Sequence, residues 1–185
     1  MTLICYIVLG LLGLALLGAL LSWAYICHAG NADVVVLQDA PWELASRDDK
    51  SMVIKKKLDF VNRGKSCSVI VDAILHSELP YEQYDGIEVR CKAERDGYPR
   101  EDDYFEAVII EHHGKAPDHI EVWAIARLTA RKGMSLEEAL AHMVDLPMDL
   151  VWQYSSRDPI FYRKERLVAT AEEIAALAGV TLVRD

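Results

Sequence analysis

The sequence predicts a mainly β protein of the α+β class, in which one transmembrane helix precedes an antiparallel β-sandwich with two short C-terminal helices. Three patterns lead to this prediction. Residues 3–27 form an uncharged apolar run, residues 51–128 hold several segments of alternating apolar and polar side chains, and two helix-start signatures follow in the C-terminal third. The predicted domains are an anchor over residues 1–28, a linker over residues 29–32 and a soluble β-sandwich-like domain over residues 33–185.

The run Leu3–Cys27 contains no Asp, Glu, Lys, Arg or His. At about 1.5 Å per residue, a helix of this length crosses a hydrocarbon core of about 30 Å. Trp23 and Tyr25 match the aromatic belt of a membrane boundary, so the lipid bilayer is the predicted partner of residues 3–27. Gly18 and Ser22 have the small-xxx-small spacing of close-packed membrane helices. A homo-oligomer formed through the helix is therefore an open alternative, although small residues are common in membrane helices.

A cleaved signal peptide is the main alternative for this run. Such a peptide has a basic n-region and a short apolar core, whereas only Met1 and Thr2 precede a much longer core here. The triplet Cys27-His28-Ala29 does resemble a cleavage site, and Ile26 is too bulky for lipid modification of Cys27. An uncleaved, single-pass signal-anchor is the prediction.

The charges beside the anchor set the predicted orientation of the domain. The nearest basic side chains, Arg47 and Lys50, lie at the limit of the window that determines orientation, among several carboxylates. A chain of net charge −9 is not expected to lie against anionic lipid, which favours an extracytoplasmic domain. A cytosol-facing subunit of a membrane complex is the alternative. The acidic balance also argues against a nucleic-acid partner, which needs a basic surface.

Alternation of apolar and polar residues predicts most of the strands. The main predicted strands cover residues 33–38, 51–62, 67–75, 87–93, 104–112 and 120–128. Pro41 and the charged residues 46–50 predict a break. A hairpin is expected to join the second and third of these strands through a turn in which Gly64 is free to adopt positive φ. Pairing of residues 104–113 with 118–129 as a second hairpin is the condition for the metal site considered below.

The C-terminal third combines helix signals with short strands. Ser135-x-x-Glu138 and Thr170-x-x-Glu173 match the capping box that begins a helix. Pro147 is expected to end the first helix, and Gly179 to end the second. Short extended segments are expected at residues 150–154, 160–162, 167–169 and 180–183.

The segment Leu58-x-Phe60-x-Asn62-x-Gly64 carries the one family resemblance in the chain. A strand that ends in an Asn-x-Gly turn, soon after a single membrane helix, resembles the immunoglobulin-like sandwiches that many bacteria tether to membranes. The resemblance implies an immunoglobulin-like β-sandwich and covers only these residues. The sequence departs from immunoglobulin domains in that no Trp lies between Cys67 and Cys91.

Cys67 and Cys91 lie in predicted strands that we expect to be neighbours. In an exported domain they would close a disulfide loop of about 25 residues, which stabilises by about 3 kcal/mol. Two buried free thiols are the alternative, and the alternation of Cys91 with Ile87 and Val89 favours it.

The densest group of metal-type ligands is Glu111-His112-His113 with Asp118-His119-x-Glu121. Across a hairpin of residues 104–113 with 118–129, His112 or His113 would face His119 or Glu121, and three such ligands hold Zn²⁺ with an open position for water. The spacing matches no established metal motif, so a polar surface is the simpler interpretation. A membrane-tethered, metal-dependent hydrolase using these four residues is nevertheless an alternative function.

Four tyrosines, Tyr81, Tyr84, Tyr98 and Tyr104, flank two predicted loops. Exposed tyrosines are enriched at protein interfaces, although packing at the core edge explains them equally well. We found no GxSxG elbow and no GxGxxG loop, and we predict no catalytic residue and no cofactor other than the zinc alternative. The predicted function is therefore a membrane-anchored, non-enzymatic β-sandwich domain that binds another protein or an envelope component.

Overall fold

Strands form most of the regular structure, and their pairing is antiparallel throughout the described residues. The protein is represented by a computed structural model that describes residues 2–79, 84–99, 105–157 and 160–183. In chain order its elements are α1 (Thr2–Ala29), β1 (Val34–Leu37), β2 (Trp42–Arg47), β3 (Ser51–Asn62), β4 (Ser68–Ser77), β5 (Ile87–Arg95), β6 (Val108–Ile110), β7 (His119–Ala130), α2 (Leu136–Ala141), β8 (Leu146–Ser155), β9 (Phe161–Ala169) and α3 (Ala171–Ala178).

The strands divide into two sheets that face each other. The first sheet has the order β1-β3-β7-β5, and β2 also pairs with β3. The second sheet has the order β6-β4-β8-β9. The predicted antiparallel β-sandwich, with an apolar N-terminal helix and short C-terminal helices, is confirmed. Its more detailed assignment as immunoglobulin-like stays a prediction.

The core lies between the two sheets. Met52, Ile54, Leu58 and Phe60 alternate along β3 and are each 0% exposed, which confirms the predicted half-buried strand. The Phe60 ring meets the Trp152 ring of β8 edge to face, with centroids 5.6 Å apart. Aromatic packing thus joins the central strands of the two sheets.

The predicted hairpin over residues 51–75 is wrong, and the hairpin considered for residues 104–113 and 118–129 is not formed. β3 and β4 lie in different sheets, and so do β6 and β7, so the turn after each strand carries the chain across the sandwich. Alternation does not distinguish the two cases, because a strand buries every second side chain whether its sequence neighbour lies beside it or opposite it.

Several element boundaries also differ from the predictions. β2 was missed because Trp42 is its one buried residue, so it shows no alternation. β8 begins before Pro147 rather than after it, and β9 runs unbroken through the charged residues 163–166. β9 is an edge strand, where charged side chains are common because they discourage pairing with other chains. Residues 180–183 form no strand.

The two short helices are confirmed, and both capping boxes are formed. Gly179 ends α3 in the left-handed conformation, with φ 68°. The helices lie at one end of the sandwich, where the N–H of Val183 donates to the carbonyl of Ala141 and the Arg47 side chain donates to the carbonyl of Ala178. We call this the helical end.

α1 is long and apolar enough to cross a membrane. Its candidate span, Leu3–His28, has 26 residues and a mean hydropathy of 2.6, and none of its most apolar window is buried against the rest of the protein. The predicted apolar helix is therefore present, and its end at Ala29 leaves a short connection to β1.

Candidate functional site

The end of the sandwich opposite the helices receives the chain from α1. Four segments meet there through hydrogen bonds, namely residues 30–33, 62–67, 111–119 and 155–157. We call this surface the linker end. It contains three of the four predicted metal ligands and Cys67, and it is the candidate functional site.

Asn62 holds the linker end together from within. The residue is 0% exposed, and its Oδ1 accepts hydrogen bonds from the backbone N–H groups of Asp33 (3.2 Å) and Gly64 (3.0 Å). Its Nδ2 donates to the carbonyls of Ser66 (2.9 Å) and Glu111 (3.0 Å). One side chain thus satisfies the backbone of three segments that are distant in sequence.

Gly64 is required by a close approach to the linker. A Cβ atom at this position would lie 2.4 Å from the carbonyl oxygen of Asn31 and 2.5 Å from the nitrogen of Asp33. The glycine does not have positive φ, so the predicted reason for it was wrong. On either side of Gly64, the N–H of Lys65 donates to Asn31 and the N–H of Arg63 donates to Asp33. The linker is therefore bound to the sandwich.

The predicted zinc ligands do not converge. His113 and His119 are largely exposed on either side of Asp118, with ring-nitrogen distances of 4.0 Å and 3.3 Å to its carboxylate. Glu121 instead pairs with Lys57, at 2.6 Å. The N–H of Gly114, and then His119, hold the pKa of Asp118 below its usual value.

His112 has its Nδ1 3.1 Å from the carbonyl oxygen of His113. Throughout residues 2–79, 84–99, 105–157 and 160–183, no group of three or more His, Cys, Asp or Glu side chains is placed to hold a metal ion. The hairpin that would gather these ligands is absent, because β6 and β7 belong to different sheets. The zinc site stays a prediction.

Cys67 and Cys91 are free thiols in this structure, as the alternation of Cys91 favoured, although Cys67 is exposed and not buried. Cys67 is exposed at the linker end, just before β4, whereas Cys91 lies in β5 of the other sheet. Burial raises the pKa of the Cys91 thiol to about 12. The two cysteines are thus not on neighbouring strands, as the hairpin pattern had suggested.

The predicted tyrosine surface is divided between opposite ends of the sandwich. Tyr84 packs against the core beside α2 and donates to the carbonyl of Ala139, and burial raises its pKa. Tyr98 follows β5, and its ring covers the guanidinium of Arg95 at 4.1 Å. Tyr81 and Tyr104 lie outside the described residues. Tyr84 and Tyr98 do not share a surface.

Three exposed cations of the linker end were missed from the sequence. Among the described residues, Arg63, Lys65 and Arg157 form no ion pair with a carboxylate. The guanidinium of Arg157 lies 5.8 Å from the ring centroid of Tyr25, near the end of α1. In the sequence, the two basic residues that flank Gly64 indicated a basic surface. The position of Arg157 near them follows only from the fold.

The helical end has the opposite charge. Its described carboxylates include Asp48, Asp49, Glu137, Glu138, Asp145, Glu172 and Glu173, and they outnumber its basic side chains Arg47, Lys50, Arg131 and Lys132. A cleft of about 530 Å³ opens there between the β2–β3 turn and α2. The domain is therefore electrically polarised along its long axis.

The outer face of the second sheet carries exposed apolar side chains. Tyr162 is 65% exposed, Ile74 is 48% exposed and Val168 is 43% exposed. Between them, the carboxylate of Asp149 pairs with Lys164 at 2.5 Å and with Arg166 at 3.2 Å. We call this surface, defined by Ile74, Tyr162 and Val168, the apolar face.

Comparisons with known proteins show similarity to solved structures alone. No protein-family model matches the chain, and no curated protein matches its sequence. The GAE domain of GGA2p from Saccharomyces cerevisiae is 10% identical with a TM-score of 0.37, covering 76% of this chain and 99% of that chain. The CooA pilin subunit from enterotoxigenic Escherichia coli is 8% identical with a TM-score of 0.29, covering 74% and 97%. No function follows from similarities at this level.

Proposed function

We propose that the protein is a single-pass, membrane-anchored and non-enzymatic β-sandwich domain that binds another protein or an envelope component outside the cytoplasm. The observation that carries the proposal is α1, whose 26-residue apolar span is not buried against the sandwich. An apolar surface of this length is stabilised by transfer out of water, and a bilayer provides that environment. The sandwich is then presented at the membrane surface.

The apolar face is the surface best suited to a protein partner. Its exposed aromatic and aliphatic side chains lie beside charged groups on β8 and β9. Protein interfaces are enriched in Tyr and Arg, and both residue types are present on this surface. Tyr162 offers a large contact area at a low entropic cost.

Site-specific photo-cross-linking in intact membranes tests this surface. A photoreactive amino acid replaces Tyr162 in one variant and Arg90, exposed on the outer face of the first sheet, in the control. We expect a discrete cross-linked partner from position 162 that is absent from position 90 and is lost when Ile74→Asp is added. Identical products from both positions, or none from position 162, would contradict the proposal.

The side of the membrane is tested through Cys67, whose thiol is exposed on the sandwich. We expect a membrane-impermeant maleimide to label Cys67 in intact cells, and a Cys67→Ser variant to lose that label. Labelling only after the cells are permeabilised would place the domain in the cytosol, as a subunit of a membrane complex.

A further inference from the structure

The connection between α1 and the sandwich is too short to let the linker end leave the membrane. α1 continues to Ala29, and the carbonyl of Asn31 already accepts a hydrogen bond from Lys65. Even fully extended, the four residues from Cys27 to Asn31 span at most about 14 Å. The Lys65 side chain also lies along Gly30, where a Cβ atom would meet its Cδ at 3.1 Å.

This distance is comparable with the thickness of the lipid headgroup layer and one Debye length taken together. Headgroups add about 5–7 Å to each side of the hydrocarbon core, and charges interact over a Debye length of about 8 Å at physiological ionic strength. Side chains on the linker end are therefore within reach of lipid phosphates if α1 spans the bilayer.

The charged groups that the linker end has available for a ligand are basic, because its described carboxylates Asp33, Glu111 and Asp118 lie beside Arg163, Lys115 and His119, respectively. Arg63 and Lys65 project from the turn that binds the linker, and Arg157 lies beside Tyr25 of the anchor. All three are exposed and have no carboxylate partner among the described residues. Guanidinium groups match phosphate oxygens in a bidentate geometry, and an ammonium group binds phosphate as a point charge.

We propose that Arg63, Lys65 and Arg157 bind the phosphate groups of anionic membrane lipids, so that the sandwich docks its linker end on the bilayer. The proposal rests on the anchoring role of α1 given under the proposed function. The net charge of −9 does not oppose this contact, because the carboxylates of the helical end are then held away from the membrane. The apolar face and the helical end remain accessible to a partner.

The full chain reconstituted into vesicles tests the proposal. Cys67, exposed at the linker end, is labelled with an environment-sensitive fluorophore in a background carrying Cys5→Ala, Cys27→Ala and Cys91→Ala. Vesicles of phosphatidylcholine alone are compared with vesicles of equal parts phosphatidylcholine and phosphatidylglycerol, each containing a headgroup spin-labelled lipid as quencher. We expect stronger quenching in the anionic vesicles, and weaker quenching at high salt.

A variant with Arg63→Gln, Lys65→Gln and Arg157→Gln is expected to show equal quenching in the anionic vesicles and in the phosphatidylcholine vesicles. Because one basic residue near an anionic surface contributes about 1 kcal/mol, each single substitution should lower the ratio of docked to undocked domains roughly fivefold. The matched control removes the same charge elsewhere, through Lys50→Gln, Arg90→Gln and Arg127→Gln, and should keep the difference.

The outcomes separate this inference from the proposed function. Release of the chain from the vesicles by alkaline extraction would overturn the anchoring role. Stable insertion with equal quenching in both kinds of vesicle would overturn lipid binding by the linker end and would leave the anchoring role unaffected. An anionic effect that survives the triple substitution, or is lost equally in the control, would overturn the assignment to these three residues.

Discussion

Asn62 and Gly64 show how two residues bind the linker that follows α1 to the sandwich. Asn62 is 0% exposed and forms hydrogen bonds with the backbone of the linker and of two turns. Gly64 supplies the space in which the linker lies. The Asn-x-Gly pattern is therefore explained by docking of the linker and not by the geometry of a hairpin.

Replacing Asn62 with Ala is expected to lower the free energy of unfolding by about 2–4 kcal/mol. The substitution leaves buried backbone donors and acceptors without partners, and each such group costs about 1–3 kcal/mol. Urea denaturation in detergent measures the change. Gln153→Ala, on the outer face of β8, is the control and should lie within about 0.5 kcal/mol of the original protein. Equal stabilities for the two variants would contradict the role of Asn62.

Gly64→Ala is expected to displace the linker, because its Cβ would lie within 2.6 Å of the backbone of Asn31, Ala32 and Asp33. Overpacking of this kind costs about 1–3 kcal/mol. Hydrogen exchange should show loss of protection at the amides of Arg63 and Lys65. Gly13→Ala in α1, which has open space around it, should leave these amides unchanged, and an equal loss in both variants would refute the explanation.

The helices and edge strands depend on local electrostatics as well as on packing. In α3, Thr170 and Glu173 satisfy each other's backbone N–H groups. Across the β8–β9 pair, Asp149 is 4% exposed and lies directly opposite Arg166. The capping box and the ion pair each join side chains that lie close together, and each can be removed by one substitution.

Thr170→Ala is expected to destabilise the protein by about 1 kcal/mol, since it removes the N-terminal cap of α3. The loss should appear in chemical denaturation and in faster hydrogen exchange in the first turn of α3. Thr181→Ala, exposed beyond the helix, is the control. If Thr170→Ala leaves the free energy of unfolding unchanged, or if Thr181→Ala lowers it as much, the capping box does not stabilise the protein.

Asp149 is expected to make stability depend on acid pH. Lys164, its main hydrogen-bond donor, and then Arg166 hold the pKa of Asp149 below its ordinary value. Because the pKa of Asp149 is lower in the folded state than in the unfolded state, its ionised carboxylate stabilises the protein fully above the unfolded-state pKa of about 3.9. This contribution is lost as the pH falls through the folded-state pKa. The difference in stability between the original protein and Asp149→Asn should therefore narrow below about pH 5. Exposed Asp39→Asn serves as the control, and a difference for Asp149→Asn that is constant with pH would contradict the ion-pair explanation.

The two ends of the whole molecule differ in charge, beginning at the end that α1 enters. Exposed cations lie beside the linker, carboxylates cluster around α2 and α3, and the apolar face lies on the second sheet between them. Charge is thus separated between the two ends of the sandwich, and the proposed docking of the linker end on lipid phosphates depends on this separation.

A chain that begins at Gly30 is expected to be soluble without detergent and to keep a β-rich circular dichroism spectrum. α1 contributes no buried surface within its apolar window, so the melting temperature of the shortened protein should match that of the full chain. Aggregation or a clearly lower melting temperature would show that the sandwich depends on α1.

Strand positions were largely predictable, whereas their partners were not. The alternation in β3, β5 and β7 follows from burial of one face, and that pattern is local. β2 and the middle of β9 lack it because they lie near the sheet edges with mostly exposed side chains. The candidate site was only partly predictable, because Arg157 and the turn at Gly64 meet through long-range contacts.

The sequence by itself determined the apolar helix, the two capped helices and the burial pattern of the main strands, because each depends on residues a few positions apart. The tertiary structure alone decided that β3 and β4 lie in opposite sheets and that Arg63, Lys65 and Arg157 share one end. It also decided that His113 and His119 lie beside Asp118, whereas Glu121 pairs with Lys57. These features depend on which strands pair across the sandwich. Strand pairing is selected by the packing of the whole core, to which distant segments contribute together.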